Sequence, residues 1–440
     1  MQLNQAIKRR AFTHEGGRAF PHLTAEQQLR RSVLACMLWE KSFYEDGKSI
    51  ADRITAYGLA CPPKVVADLA IEARSQFNLR HAPLLLLHVL AKIGSGSSLV
   101  ADTIEQVIQR ADELAEFVAV YWRDGKQPLS AQVKKGLARA FDKFDEYAFG
   151  KYDRDGAVKL RDVMFLVKPK PKDEARAALY KRIADKELAT PDTWEVGLSG
   201  GADKKETFER LIREGQLGYM ALLRNLRGMN EAGVDHDLIK QAILARKGAR
   251  RVLPFRFIAA ARAAPVFEPV LDQALIDGLN EGAVFDGKTV VLVDVSGSMT
   301  WKLSSKSDMN RIDAAAGLAS MLVGRNVRVF SFSNSIQEVP YRLGIAGVDA
   351  IRNSQPNQGT HLGAAIKVLN EQIGGDRLIV ITDEQSRDSV PAPSAFGRAY
   401  MINVSTEKNG VGYGSGWTAH ISGFSEAVLR YIHEMEHDAR

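Results

Sequence analysis

Asp294, Ser296 and Ser298 follow directly on an apolar run, Thr289 to Val293, and Gly297 stands between the two serines. One carboxylate and two hydroxyls make a hard, all-oxygen donor set, suited to Mg²⁺ or Mn²⁺ and not to zinc. The β-branched run before them has the pattern of a strand buried on both faces. Small oxygen-bearing residues just past such a strand stand where open α/β sheets place their ligands. Asp and Ser are also ordinary turn and cap residues, so the triplet alone does not decide. Two later stretches add to it. Asp376 to Asp383 is a second buried-strand run that ends in a carboxylate, and Gln358 to His361 is a loop offering the Thr360 hydroxyl.

Asp294, Ser296, Ser298, Thr360 and Asp383, in that order, resemble the metal-ion-dependent adhesion site of von Willebrand factor type A domains. The resemblance implies a divalent cofactor, Mg²⁺ first and Mn²⁺ second, with one coordination position open to an outside oxygen ligand. In such domains that ligand is often a partner's carboxylate.

The elements that must position these residues form an alternating series. Strands are expected at Thr289 to Asp294, Asn326 to Ser333, Asp376 to Thr382 and Ala399 to Val404, with a further one before Gly423. Helices are expected at Arg311 to Val323, Leu362 to Gln372 and Glu426 to His437. Strand–helix alternation is the mark of a doubly wound parallel sheet. Upstream the chain reads as helix after helix, with no convincing strand alternation before Thr289. Leu29 to Lys41 and Ala101 to Tyr121 carry apolar residues at helical spacing, and Pro83 to Ile93 is apolar nearly all round, closed by Gly94. Ser130 has the place of an N-cap. Further helices are expected at Ala175 to Leu188, Thr207 to Arg213, Leu217 to Leu226 and Asp237 to Leu244. Helices joined by short turns suggest a stacked all-α solenoid of irregular helical repeats, with a compact bundle as the alternative. The expected division is a helical module over 1–268, a linker over 269–285 and an α/β domain over 286–440.

A chain of 440 residues fits two domains better than one core. No run approaches the roughly twenty apolar residues of a membrane span. The N-terminal stretch lacks the apolar core of a secretory signal. The two cysteines, Cys36 and Cys61, fit no metal spacing and point to a reducing, cytoplasmic setting. No metal spacing or catalytic triad is evident among His14, His22, His81, His88, His361 and His420. His88, inside an apolar helix, is expected in the core with its polar atoms satisfied. Charge is uneven: 44 basic against 33 acidic residues up to Pro265, then 15 against 20, so +11 is followed by −5. A basic part of this kind is the electrostatic footprint of a nucleic-acid binder.

His14 to Phe20 (HEGGRAF), Lys159 to Val163 with Val167 to Pro171, Leu217 to Met229 (LGYMALLRNLRGM) and Val252 to Arg256 are similar to phrases of the Ro autoantigen family. With the type A motif, the resemblance runs over essentially the full chain, and its bacterial or phage branch fits best. It implies a TROVE module of HEAT-like helices bent into a monomeric ring that the type A domain closes. It further implies small non-coding Y RNA on the outer surface and single-stranded 3′ ends of misfolded RNA in a central hole. The implied role is RNA quality control without catalysis by the protein, and an exoribonuclease can be tethered through the RNA.

The residues agree on the chemistry of that surface. Lys151, Arg154, Lys159, Arg161, Lys168, Lys170 and Lys172 crowd one region, and Pro169 and Pro171 stiffen its loop. Lys134, Lys135 and Arg139 face away from the apolar stripe of their helix. Arg224, Arg227, Arg246, Lys247, Arg250 and Arg251 form a second cluster. Two other functions compete: an adaptor whose metal site grips an acidic protein partner, and a nuclease using Asp294 and Asp383. Two-metal nucleases need several carboxylates around closely spaced metals, and this motif is mostly hydroxyl.

Overall fold

The computed structural model describes residues 11–19, 24–34, 47–153, 156–249, 252, 255–280, 284–303, 309–405, 410–412, 414–423 and 427–438. Two compact units form. One comprises Met1–Ile50, Tyr219–Arg227 and Lys240–Arg440; the other comprises Ala51–Gly218 and Gly228–Ile239.

The second unit is helical throughout its described residues. Pro63–Ser75 packs on His81–Ile93, Ser98–Val107 on Ala131–Phe141, and His81–Ile93 on Asp112–Tyr121, so each helix meets a near neighbour in the chain. Local pairing of this kind is how stacked helical repeats build a core. Short polar side chains start the helices. Ser97, Ser130, Asp145, Asp173, Thr193 and Asp203 each accept a backbone N–H of the first turn. The His81–Ile93 helix is buried from Ala82 to Ala91, and the Gly94 N–H closes it on the Leu90 carbonyl at 2.8 Å.

Two readings change here. The stripe Ala101 to Tyr121 is two helices, Ser98–Val107 and Asp112–Tyr121. At the break the buried Glu113 carboxylate accepts from the Gln109 and Arg110 N–H groups at 2.8 and 3.1 Å, in place of helical carbonyls. Arg74 neutralises that carboxylate at 2.8 Å. His88 is buried as expected, but neither ring nitrogen makes a hydrogen bond. Its Nε2 stands 3.4 Å from Asp124, whose carboxylate accepts from Lys92 at 2.9 Å.

The first unit carries a two-stranded hairpin, β1 (Ala11–Phe12) and β2 (Arg18–Ala19), and a six-stranded sheet. The sheet strands are β3 (Val284–Asp294), β4 (Val323–Phe332), β5 (Ile336–Val339), β6 (Gly375–Thr382), β7 (Phe396–Asn403) and β8 (Ala419–Ser422). Their order is β5-β4-β3-β6-β7-β8, parallel except for the edge strand β5. The helical first part and the mostly parallel sheet after it are the expected fold class. β5 and the hairpin were not expected, being too short to show alternation.

The helix expected over Arg311 to Val323 ends at Ala319, because Val323 already pairs with Val284 at the start of β4. Residues 269–285, read as a linker, hold most of the helix Glu268–Asn280, whose Asp272 accepts the Ile345 N–H at 2.7 Å.

The sheet's centre is dry. Val290 to Val293 and Leu378 to Ile381 are fully buried. On one face Val290, Leu292, Leu378 and Val380 pack with Leu362, Ile366 and Leu369 of the helix Leu362–Gln372. The helix Arg311–Ala319 also lies against β3 and β6. It is fixed by buried Asp313, which accepts from Arg262 and Arg352, both at 2.8 Å.

Candidate metal centre and basic surface

β3 runs to β4 on one side and pairs with β6 on the other, so the chain's direction across the sheet reverses at β3. The crevice past the carboxyl ends of strands at such a reversal is the usual ligand position. Register places the key groups there. Val293 pairs with Ile381, which brings Asp294 level with Thr382 and beside Asp383. The Thr382 hydroxyl donates to Asp294 Oδ2 at 2.5 Å, and the Ser296 N–H donates to Oδ1 at 2.9 Å. The tight turn Gly297–Thr300 then presents Ser298, whose Oγ lies 3.4 Å from Ser296 Oγ.

The Thr360 loop is bonded to the β3 exit. The Gly297 N–H donates to the Gln358 carbonyl at 2.7 Å, and Asn357 Nδ2 donates to the Val295 carbonyl at 2.7 Å. The β6 exit is tied to the same loop, since the Arg387 N–H donates to the Thr360 carbonyl at 2.8 Å. Three mutually bonded loops thus carry Asp294, Ser296, Ser298, Thr360 and Asp383, all five buried.

Two carboxylates in so dry a place interact strongly. Burial first, and the Asp383 charge second, push Asp294 up to about 7 from 3.8. Arg311 stands 3.8 Å from Asp383 Oδ2 and offsets part of that repulsion. Among the described residues no group of three His, Cys, Asp or Glu side chains is placed to hold a metal ion, so hydroxyls must supply part of any coordination shell. The donors fit a hard divalent ion: all are oxygens, and two are carboxylates whose repulsion a cation relieves. Such an ion would supply positive charge able to hold an outside oxygen ligand. Thr382 and Arg311 were missed from sequence. Thr382 adjoins Asp383 and could have been read off; Arg311 carries no local signal.

The basic residues separate into exposed and engaged groups. Lys134, Lys135, Lys168, Lys170 and Lys172 are exposed in the helical unit. Lys168 ends the helix Leu160–Val167 in a left-handed conformation, φ 48°, and turns the chain into the proline-stiffened loop. Lys172 lies 3.1 Å from Asp142 at the surface. Arg139 is instead engaged, 2.6 Å from Asp102 and 3.4 Å from Glu105. Lys151 stands over the rings of Tyr147 and Tyr152 at 5.5 and 5.8 Å, and Arg161 over that of Phe165 at 5.4 Å. Lys159 opens its helix, its own N–H bonded to Asp162 at 3.0 Å. In the other unit Arg224, Arg227 and Lys247 are exposed and Arg246 is half-buried. Arg154, Arg250 and Arg251 lie outside the described residues. Sequence reasoning missed the aromatic partners Tyr147, Tyr152 and Phe165, although Tyr147 and Phe165 stand four residues from their cations, a helical spacing that was available.

Comparison with known proteins agrees with both halves. The TROVE domain family matches residues 169–275, and the von Willebrand factor type A domain family matches residues 289–385. The crystal structure of the RO (RSR) protein of Deinococcus radiodurans is similar with a TM-score of 0.62, covering 95% of this chain and 100% of that one at 16% identity. The chain carries a TROVE domain followed by a type A domain and shares the fold of that structure. Telomerase protein component 1 of Rattus norvegicus and of Mus musculus are each 35% identical over 97 residues. That stretch is 21% of this chain and 4% of either relative, so the chain spans a small fraction of their length. No helix among the described residues is long and apolar enough to cross a membrane.

Proposed function

We propose that this protein is a Ro-family RNA-binding scaffold with no catalysis of its own. It takes structured, Y-like RNA on the basic surface of its helical unit, together with RNAs that carry a single-stranded 3′ end. Through a bound RNA it can present an exoribonuclease. The observation that carries this reading is the loop from Lys168 to Lys172. Three exposed lysines alternate with Pro169 and Pro171, and the same unit carries the cation–ring pairs Lys151–Tyr147 and Arg161–Phe165. Lysines held at alternate positions on a stiff backbone track phosphates at low ordering cost, and rings accept stacked bases.

The test is a gel-shift titration over a salt series, with one RNA a closed stem-loop and the other bearing a 3′ tail. Tight binding with a steep fall in log affinity against log salt is expected for both. Binding to neither RNA at low salt would overturn the proposal.

The buried donor set favours a second role, a Mg²⁺ or Mn²⁺ held by Asp294, Ser296, Ser298, Thr360 and Asp383 that grips an acidic protein partner. Mn²⁺ titration followed by electron paramagnetic resonance tests that centre directly. No uptake by wild type would remove it.

A further inference from the structure

Four consecutive residues after Asp383 are each gripped by the N-terminal segment, some 370 residues away in sequence. Glu384 is wholly buried and pairs with buried Arg31 at 2.8 Å. Arg31 belongs to the helix Ala25–Leu34, which lies against β8. Gln385 Oε1 accepts the His14 N–H at 2.8 Å. The Ser386 carbonyl accepts from the Thr13 hydroxyl at 2.7 Å and from the Gly17 N–H at 2.9 Å. Arg387 Nε donates to Glu15 at 2.8 Å.

The approach is close enough to demand glycine. A Cβ at Gly17 would fall 2.0 Å from the Ser386 carbonyl oxygen. The loop so gripped does not hold its shape by local preference alone. Glu384 has φ 62°, a left-handed conformation that costs a non-glycine residue free energy and persists only where surroundings impose it. Here the surroundings are Arg31, His420, which bonds the same carboxylate, and the Gly412 N–H at 3.0 Å.

The gripped residues in turn hold the candidate metal centre. The Gln385 N–H donates to Asp383 Oδ1 at 3.1 Å, its Nε2 donates to the Asp383 carbonyl at 3.2 Å, and the Arg387 N–H donates to the Thr360 carbonyl. Gln385 and Arg387 therefore touch the hairpin on one side and the donor residues on the other.

We propose that the β1–β2 hairpin and Arg31 form a latch that holds the 383–388 loop in the conformation presenting Asp383 and Thr360 to a divalent ion. Thr13, Gly17 and Arg31 are positioning residues; none is a ligand. By linkage, ion binding tightens the docked hairpin as much as docking tightens the ion. The ion arm rests on the metal reading above; the latch itself does not.

The experiment uses the full chain with Gly17→Ala and, as an isosteric second variant, Thr13→Val. Amide hydrogen exchange of residues 383–388 is compared with that of β3, and Mn²⁺ affinity is followed by electron paramagnetic resonance. The latch predicts exchange in the loop at least about tenfold faster in Gly17→Ala with β3 unchanged, and Mn²⁺ affinity at least about tenfold weaker. Thr13→Val should move both readouts in the same direction by less. Wild-type exchange in the loop of both variants would overturn the latch, as would unchanged Mn²⁺ affinity beside a mobile loop. If wild type takes up no Mn²⁺, the metal reading alone fails, and loop exchange still decides for or against the latch.

Discussion

Asp294→Asn should stabilise the metal-free protein at high pH, a result opposite to that of most substitutions in a buried site. The Asp294 carboxyl has no exposure and is pushed from 3.8 to about 7, by burial and then by Asp383. A folded value above the unfolded one means the folded state binds the proton more tightly. The Asp294 contribution to metal-free stability is therefore greatest below the unfolded value, declines as pH rises toward 7, and stays low above it. At about 1.4 kcal/mol per unit, the rise amounts to an upper bound of about 4 kcal/mol at pH 8.5. Arg311, 3.8 Å from Asp383, lowers the realised figure.

Asparagine keeps the shape and can still accept the Ser296 N–H, so the substitution removes charge without opening a cavity. The assay is urea unfolding in chelator at pH 8.5 and pH 5.5, with and without Mg²⁺. The variant should exceed wild type at pH 8.5 in chelator, and the gap should narrow at pH 5.5. Mg²⁺ at about a hundred times its Kd should add about 2.7 kcal/mol to wild type and little to the variant. A variant no more stable than wild type at pH 8.5 in chelator would refute the reasoning.

Replacing Lys168, Lys170 and Lys172 together by Ala should weaken stem-loop RNA binding with melting temperature unchanged. The log affinity–log salt line should flatten by nearly one unit for each phosphate that a lysine no longer neutralises, and an unchanged slope would take the loop out of the RNA surface. Glu436→Gln should cost about 3–5 kcal/mol in urea unfolding, because it removes the negative charge that pairs with buried Arg377 and accepts from the Tyr400 hydroxyl at 2.9 Å. Burial would raise Glu436, but Arg377 outweighs it and holds the carboxyl below its usual range. The stability it gives is present above the ordinary glutamate value and is lost as pH falls through the folded one. Acid unfolding that is identical in wild type and variant would contradict that sign. Gly136→Ala should destabilise by about 1–3 kcal/mol, since a Cβ would meet the Ala101 carbonyl and Ile104 at 2.8 Å. A neutral result in urea unfolding would mean that the Ser98–Val107 and Ala131–Phe141 helices part at little cost.

The sheet was legible because β3 and β6 are continuous apolar runs closed by acids, and buried parallel strands leave that trace. The helical half was legible in type and less so in boundaries. The break at Ile108 depends on where the Glu113 carboxylate turns, and Arg74 settles that from another helix. The donor residues were legible as a motif, but their geometry was not. Thr382 stands next to Asp383 in the sequence, but that its hydroxyl bonds Asp294 follows from the β3–β6 register, which no local pattern encodes.

The N-terminal phrase His14 to Phe20 shows the same limit from the other side. It reads as a family phrase, and nothing in its composition says what it touches. Its described part and Ala11 to Thr13 before it do three physical things: they form a two-residue-strand hairpin, place a glycine against the Ser386 carbonyl, and offer backbone and hydroxyl donors to the β6 exit. An isolated hairpin this short is not stable in water, so its order must come from the surface it docks on. The dependence runs both ways, because the left-handed Glu384 needs an imposed environment. Two weak elements hold each other, and the pairing spans nearly the whole chain. Loop closure over such a length costs only slightly more than over a short one, as the entropy grows with the logarithm of separation.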